Sequence, residues 1–196
     1  MTRIALVLLA GLLAGCAGLA GRPPPVASTA GIAALTGWVA TGRLAVAAGS
    51  EGGGGGGGFV WQQQGPETRL RLRGPLGAGS FEIASDGERL SVTDAAGQVL
   101  GADARATLRA RLGADLPLSS LRFWMTGLPD PASTAKVIES ETTPLRIIEQ
   151  HGWTIAYDAF TSTDGFALPA RVTATSGDVR LRLTVSDWTD LQPAPE

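Results

Sequence analysis

Three short stretches of the chain alternate apolar and polar residues with a period of two. Leu70 and Leu72 alternate with Arg69, Arg71 and Arg73; Phe81 and Ile83 with Ser80, Glu82 and Ala84; Leu90 and Val92 with Ser91 and Thr93. Successive strand side chains point to opposite faces, so each stretch predicts a strand with one apolar face. Ser85-Asp86-Gly87 and Asp94-Ala95-Ala96-Gly97 separate them at hairpin spacing, which predicts an antiparallel meander. Upstream, Ile32 to Leu35 predicts a short helical turn, Trp38 to Val46 a strand, and Phe59-Val60-Trp61 another. Between these two strands Gly52 to Gly58 are consecutive glycines. Glycine loses more backbone entropy on ordering than any other residue, which predicts a mobile hairpin loop. A phosphate-cradling loop is excluded, because no Lys-Ser/Thr pair follows and no helix opens there.

The period changes in mid-chain. Leu108 and Leu112 lie four apart in Ala104 to Leu112, which closes on Gly113. Leu118, Leu121, Trp124 and Met125 then repeat at helical spacing before Gly127 and Pro129. Two helices are predicted. Strands resume over Lys136–Ser140, Leu145–Gln150, Trp153–Phe160, Ala170–Thr175 and Val179–Asp187. About ten antiparallel strands around a small helical insert predict a strongly curved sheet or partial barrel, with helices on its concave side because a bare apolar face must be covered. Such a barrel has room for a ligand.

With 16 Lys+Arg against 18 Asp+Glu the formal charge is −2, which leaves no polycationic footprint for nucleic acid. The single cysteine of the 196-residue chain excludes intramolecular disulfides, Cys-rich metal sites and paired-thiol redox motifs. That cysteine, Cys16, ends a leader: Arg3 supplies a positive charge, Ile4 to Leu13 an apolar run, and Ala14-Gly15 the small residues before the thiol. The run is too short to span a bilayer. Leu13-Ala14-Gly15-Cys16 resembles the lipobox of bacterial lipoproteins, which implies export, diacylglyceryl transfer to Cys16 and cleavage before it. Two or more acyl chains anchor a protein stably where one does not. Ala17 in the next position favours the outer membrane. Residues 1–15 are thus expected to be a signal peptide and residues 16–30 a lipidated N-terminus and tether, rich in Gly, Ala and Pro around Pro23-Pro24-Pro25. Residues 31–191 form the domain and residues 192–196 a tail.

Chemistry is scarce. The lone histidine, His151, precedes Gly152 in a predicted hairpin turn and is expected to be solvated; no Ser-His-Asp, Cys-His or two-histidine metal constellation assembles from it. Asp86, Asp94, Asp130 and Asp164 sit beside Gly or Pro, where aspartate bonds its own backbone. A periplasmic hydrolase is the weakest reading, and neither cofactor nor metal is expected. In Arg73-Gly74-Pro75-Leu76-Gly77-Ala78-Gly79 a strand breaks into Gly and Pro with one leucine between them. Turn grammar leaves two alternatives for Leu76: folded back into the core, or exposed at the tip as a membrane or ligand contact.

The chain as a whole resembles the outer-membrane lipoprotein receptor family LolB. The resemblance is carried, in order, by the lipobox, the Pro-rich tether, Gly42-Arg43, Phe59-Val60-Trp61-Gln62-Gln63, Gly74-Pro75-Leu76-Gly77, Leu116-Pro117-Leu118, Leu121-Arg122-Phe123-Trp124-Met125-Thr126-Gly127-Leu128-Pro129, Gly152-Trp153, Leu168-Pro169 and a last strand ending at Trp188. It implies a mainly β fold with an α insert, an incomplete antiparallel barrel of about eleven strands with helices over an apolar cavity. It further implies a monomer that takes lipoproteins from the periplasmic carrier LolA and inserts their acyl chains into the inner leaflet of the outer membrane. Leu76, flanked by Pro75 and Gly77, matches the protruding leucine used for insertion. Alternation alone nominates Leu70, Leu72, Phe81, Ile83, Leu121, Trp124, Ile155 and Leu183 as cavity residues. The alternative is a passive structural lipoprotein whose barrel is solid.

Overall fold

The computed structural model describes residues 29–48, 53–74, 79–112 and 116–194. A short helix α1 (Thr29–Ala33) leads into β1 (Leu35–Ala48), β2 (Gly53–Gln64), β3 (Glu67–Arg73), β4 (Phe81–Ser85) and β5 (Leu90–Asp94). The helices α2 (Ala104–Leu112) and α3 (Leu118–Met125) follow. Strands β6 (Lys136–Glu139), β7 (Arg146–Gln150), β8 (Trp153–Thr163), β9 (Phe166–Ser176) and β10 (Val179–Pro193) complete the fold. The predicted helices and late strands lie where the periodicity put them. The first helical turn ends at Ala33, earlier than expected, because Leu35 already pairs with Pro193 in the sheet.

All ten strands form one antiparallel sheet in the order β5-β4-β3-β2-β1-β10-β9-β8-β7-β6. Every neighbour pair but one is a sequential hairpin; β1 against β10 brings the chain ends together. The edges β5 and β6 are consecutive in sequence but not hydrogen-bonded to each other, so the barrel stays open. The resemblance implies about eleven strands; among the described residues there are ten. The helices that leave β5 and return at β6 span that open side.

The inner face is the core. Trp38, Leu44 and Val46 of β1, Phe59 and Trp61 of β2, Leu70 and Leu72 of β3, Leu181, Leu183 and Trp188 of β10 are all buried, and in β3 and over Val179–Val185 of β10 the residues between the buried ones are exposed. Trp38 meets Trp61 with ring centroids 5.7 Å apart and Trp188 edge-on at 5.2 Å, and such pairs add about 0.5–1.5 kcal/mol each beyond their buried area. Trp188 Nε1 donates to Pro169 O at 3.0 Å and Trp61 Nε1 to Gln63 Oε1 at 3.0 Å, so these buried indoles keep their hydrogen bonds. Among the described residues the buried core runs from Ile32 to Trp188.

The expected mobile loop over Gly52–Gly58 does not form. Gly53 to Gly58 extend β2 and pair residue by residue with Ala48 back to Arg43; Gly52 lies outside the described residues. The entropy argument missed that the long β1 offers these glycines a full ladder, and that their missing side chains let the strands come close. A Cβ on Gly57 would run into the carbonyl of Arg73, and Cβ atoms on Gly54 and Gly56 into the carbonyls of Val46 and Leu44. Gly57→Val should therefore cost about 1–3 kcal/mol of stability, the range for forced overpacking. It is read as a lowered urea midpoint at unchanged slope. Gly58→Ala, whose added carbon meets nothing closer than Gly42 O at 3.8 Å, should shift that midpoint by less than about 0.5 kcal/mol.

Candidate functional site

Helix α3 lies against the inner face of the sheet, and its sequence explains how. Leu121, Trp124 and Met125 fall on one stripe and are buried, with Ser120 beside them. The helix ends in a Schellman arrangement: Gly127 takes a φ of +82°, its N–H donates to Trp124 O at 3.1 Å, and Leu128 N–H donates to Phe123 O at 3.0 Å. At its start Pro117 offers no side-chain cap.

A buried polar network fixes the C-terminal half of α3 to the sheet. Trp124 Nε1 and the Asp130 backbone N–H both donate to Gln150 Oε1, at 2.9 and 2.8 Å, and Gln150 Nε2 donates back to Asp130 O and Ser133 O. The Tyr157 hydroxyl donates to Trp124 O at 2.8 Å; burial pushes its pKa far up, against a smaller opposing pull from Arg146, so it stays a donor. Arg146 donates from Nη1 to Gly127 O at 2.9 Å and from Nε to Glu139 at 2.7 Å. Asp130 accepts from Ser120 Oγ at 2.8 Å and Ala132 N–H at 2.9 Å. Burial raises the Asp130 carboxyl, but those two hydrogen bonds and the nearby His151 outweigh it, and the net pKa lies below the usual carboxylate value.

Beneath α3 the interior is nearly full. A cavity of about 10 Å³ remains, enclosed by Leu44, Phe59, Trp61, Leu70, Leu72, Ile83, Leu116, Leu121, Leu181 and Leu183. That is at most room for one water, and the lining offers water no partner. Larger openings flank the helix, the first of them mainly apolar. One of about 770 Å³ lies between α1, the start of β1 and α3, with Ile32, Leu35, Trp38, Phe123, Leu128 and Pro129 in its wall. Another of about 130 Å³ has a mixed lining, with Thr68, Ser85, Glu88, Arg105 and Ser119 beside Leu118, Leu90 and the same Leu70 and Ile83 that enclose the interior cavity. Arg122 borders both openings. Its guanidinium lies 4.6 Å over the Phe123 ring and its Nε is buried without a hydrogen-bond partner.

Among the described residues the architecture is thus an open, ten-stranded antiparallel sheet with an apolar interior and a Trp-bearing helix laid across it. The family model described as "Outer membrane lipoprotein LolB" matches residues 36–188. The chain belongs to the LolB family. Proteins named outer-membrane lipoprotein LolB from Halorhodospira halophila, Ectopseudomonas mendocina and Stutzerimonas stutzeri are 34%, 32% and 32% identical to it. In each case the alignment covers 92% of this chain, and 94%, 92% and 91% of the relative. A solved LolA superfamily protein from Nitrosomonas europaea aligns with a TM-score of 0.44 at 11% identity, over 81% of this chain and 87% of that one. Outer-membrane lipoprotein is thus the class in which this LolB family member falls.

Of the eight nominated cavity residues, all are buried. Leu70, Leu72, Ile83, Leu121 and Leu183 line the interior cavity beneath α3. Phe81, Trp124 and Ile155 do not: Phe81 packs in the core at the start of β4, Trp124 belongs to the polar network, and Ile155 lies fully buried on β8. Cys16 and the Pro75, Leu76, Gly77 tip lie outside the described residues. Sequence reasoning missed the residues of the openings, above all Arg122; its signal was a single charge inside an otherwise apolar and small helix, Leu118–Met125.

The turn residues divide. Asp86 and Asp94 bond their own backbone as expected, Asp86 Oδ1 accepting from Arg89 N–H at 2.7 Å and Asp94 Oδ1 from Ala96 N–H at 2.9 Å. Asp130 does so too, its Oδ1 accepting from Ala132 N–H at 2.9 Å, but it is also buried and its Oδ2 is shared with Ser120. His151 sits in a two-residue hairpin turn with Gly152, at φ +53° and +75°. Its exposed ring bonds Ser133 Oγ at 2.9 Å and faces Asp130 Oδ2 at 3.5 Å through the same atom, Nε2. A serine–histidine–carboxylate relay needs the two ring nitrogens on different partners, so this cluster is not one. Because the Asp130 carboxyl is held below its ordinary value of 3.8, it contributes stability that is full above that value and is lost as pH falls through its folded one. Asp130→Asn should flatten the acid limb of stability below pH 3.8, seen as urea midpoints that change less with pH than those of the wild type.

Proposed function

We propose that this protein is a receptor that accepts lipoproteins from the periplasmic carrier LolA and delivers their acyl chains to the inner leaflet of the outer membrane, held there by its own lipidated Cys16. The observation that carries the reading is an apolar interior and an opening at one side of α3 that lie next to each other, with Leu70 and Ile83 as their common wall. An acyl chain entering beside Arg122 would pass a mouth that carries Thr68, Ser85, Glu88 and Ser119 as well as Leu90 and Leu118, and would meet only apolar side chains once inside, at about 0.8 kcal/mol per buried methylene. Since the interior offers only about 10 Å³, entry requires α3 to lift. The bonds favour one way: the end of the helix is tied through Trp124, Gly127 and Asp130 and its middle through Ser120 to Asp130, while its first residues, after Pro117, have no side-chain cap. The helix would swing about the tied end, with release of one chain needing only a better apolar environment elsewhere.

The filled interior also suits a solid, passive barrel, and transfer separates the two. With carrier preloaded with a lipoprotein, the protein should take up cargo and pass it to liposomes. Leu76→Glu should leave uptake intact and accumulate cargo on the receptor, lowering insertion by about tenfold or more, since a carboxylate is costly to bring into a bilayer. Normal insertion by Leu76→Glu removes Leu76 from delivery; no uptake by the wild type supports the passive barrel.

A further inference from the structure

The outer face of the sheet carries an unexpected concentration of positive charge for a chain of net charge −2. Cross-strand partners in an antiparallel sheet share a face. Register therefore places Arg171 of β9, Thr184 of β10, Arg43 of β1, Gly58 of β2 and Arg73 of β3 in one row on the outside. The next row towards the same end holds Thr173, Arg182, Ala45 and Gly56, and the one after it Thr175, Arg180, Ala47 and Gly54. All five arginines are exposed. No Asp or Glu occupies these rows, and among the described residues none of the five arginines is in an ion pair, whereas Arg69 and Arg71, further along β3, share Glu82. The floor between them is glycine, alanine and threonine. Spread over five adjacent strands, the patch is about 20 Å wide.

We propose that this arginine face docks the phosphate groups of an anionic bilayer. The floor supplies no aromatic or large apolar side chain, and so none of the anchors around which protein interfaces concentrate their energy. A charged lipid surface needs none of them. Long arginine stems let charges on a curved face reach one plane, and each basic residue near an anionic surface adds to the attraction independently of its neighbours' exact geometry. The glycine run, which keeps the floor low, belongs to the same design. The patch includes Arg73, the last residue of β3 before the Gly74–Gly79 connection, so docking would bring that connection to the lipid. This step rests on the delivery reading above.

The test uses the chain from residue 17 onward, which retains the whole core, with phosphatidylcholine vesicles containing or lacking phosphatidylglycerol. Wild type should bind the anionic vesicles more tightly, and less so as salt rises. Arg180→Gln/Arg182→Gln should lose about tenfold of that preference, while Arg89→Gln/Lys136→Gln, which removes the same charge elsewhere, should keep it. Equal losses in both variants, or none in the first, overturn the proposal. So does a first variant that binds vesicles normally but captures less cargo-loaded carrier, since the patch would then dock a protein. Leu76→Glu is the separating control: unaltered binding to neutral vesicles by that variant contradicts the delivery reading at Leu76 and leaves the arginine result standing.

Discussion

An antiparallel sheet whose inner face is largely apolar has to cover that face, and here its two edges do not meet. The rest of the structure follows from this constraint. β5 and β6 are neighbours in sequence yet end at opposite edges, so the chain between them is the segment available to cross the open side, and it does so as helices. α3 places Leu121, Trp124 and Met125 into the gap, but an apolar stripe alone would hold the helix with no preferred position along the sheet. The buried hydrogen bonds of Gln150, Tyr157 and Arg146 to Trp124, Asp130 and Gly127 give it one. Leaving any of these groups unpaired in the interior would cost about 1–3 kcal/mol, which makes the C-terminal half of the helix the fixed point of the cover.

Much of this was legible in the sequence because the two periods differ. Leu70 and Leu72 between arginines read as a strand with one buried face, and Leu121, Trp124 and Met125 read as a helical stripe; both are what folds. The glycine run was misread because local entropy argues against order there, while the reason for order is a long-range partner, β1, whose register no local signal specifies. The candidate cavity residues came half-resolved for a similar reason. Alternation tells inside from outside, so all eight are buried, but it does not say which buried residues surround a space and which fill one. Trp124 illustrates the difference: its ring is inside, yet its N–H is committed to Gln150. Arg122 and the openings it borders depend on how α1, β1 and α3 meet, which no periodicity carries.

The two faces of the sheet suggest a division of labour. The inside, with its residual cavity and the openings beside α3, is built for chains without charge. The outside at one end is built for charge alone, with five arginines over a floor of small residues. In the delivery proposed above, the two faces would handle the two parts of an amphiphile separately, with Arg105 and Arg122 at the mouth of the acyl route rather than inside it.

The central claim is that an acyl chain enters beneath α3. A lipopeptide carrying brominated acyl chains tests it most directly, because bromine quenches indole fluorescence at close range and Trp61 encloses the interior cavity. In a variant retaining Trp61 alone, with the other four tryptophans of the chain replaced by phenylalanine and folding confirmed by circular dichroism, the account predicts saturable quenching that an unbrominated lipopeptide competes away. Saturable binding of the lipopeptide with undiminished Trp61 fluorescence would place the chain outside the barrel and contradict the account.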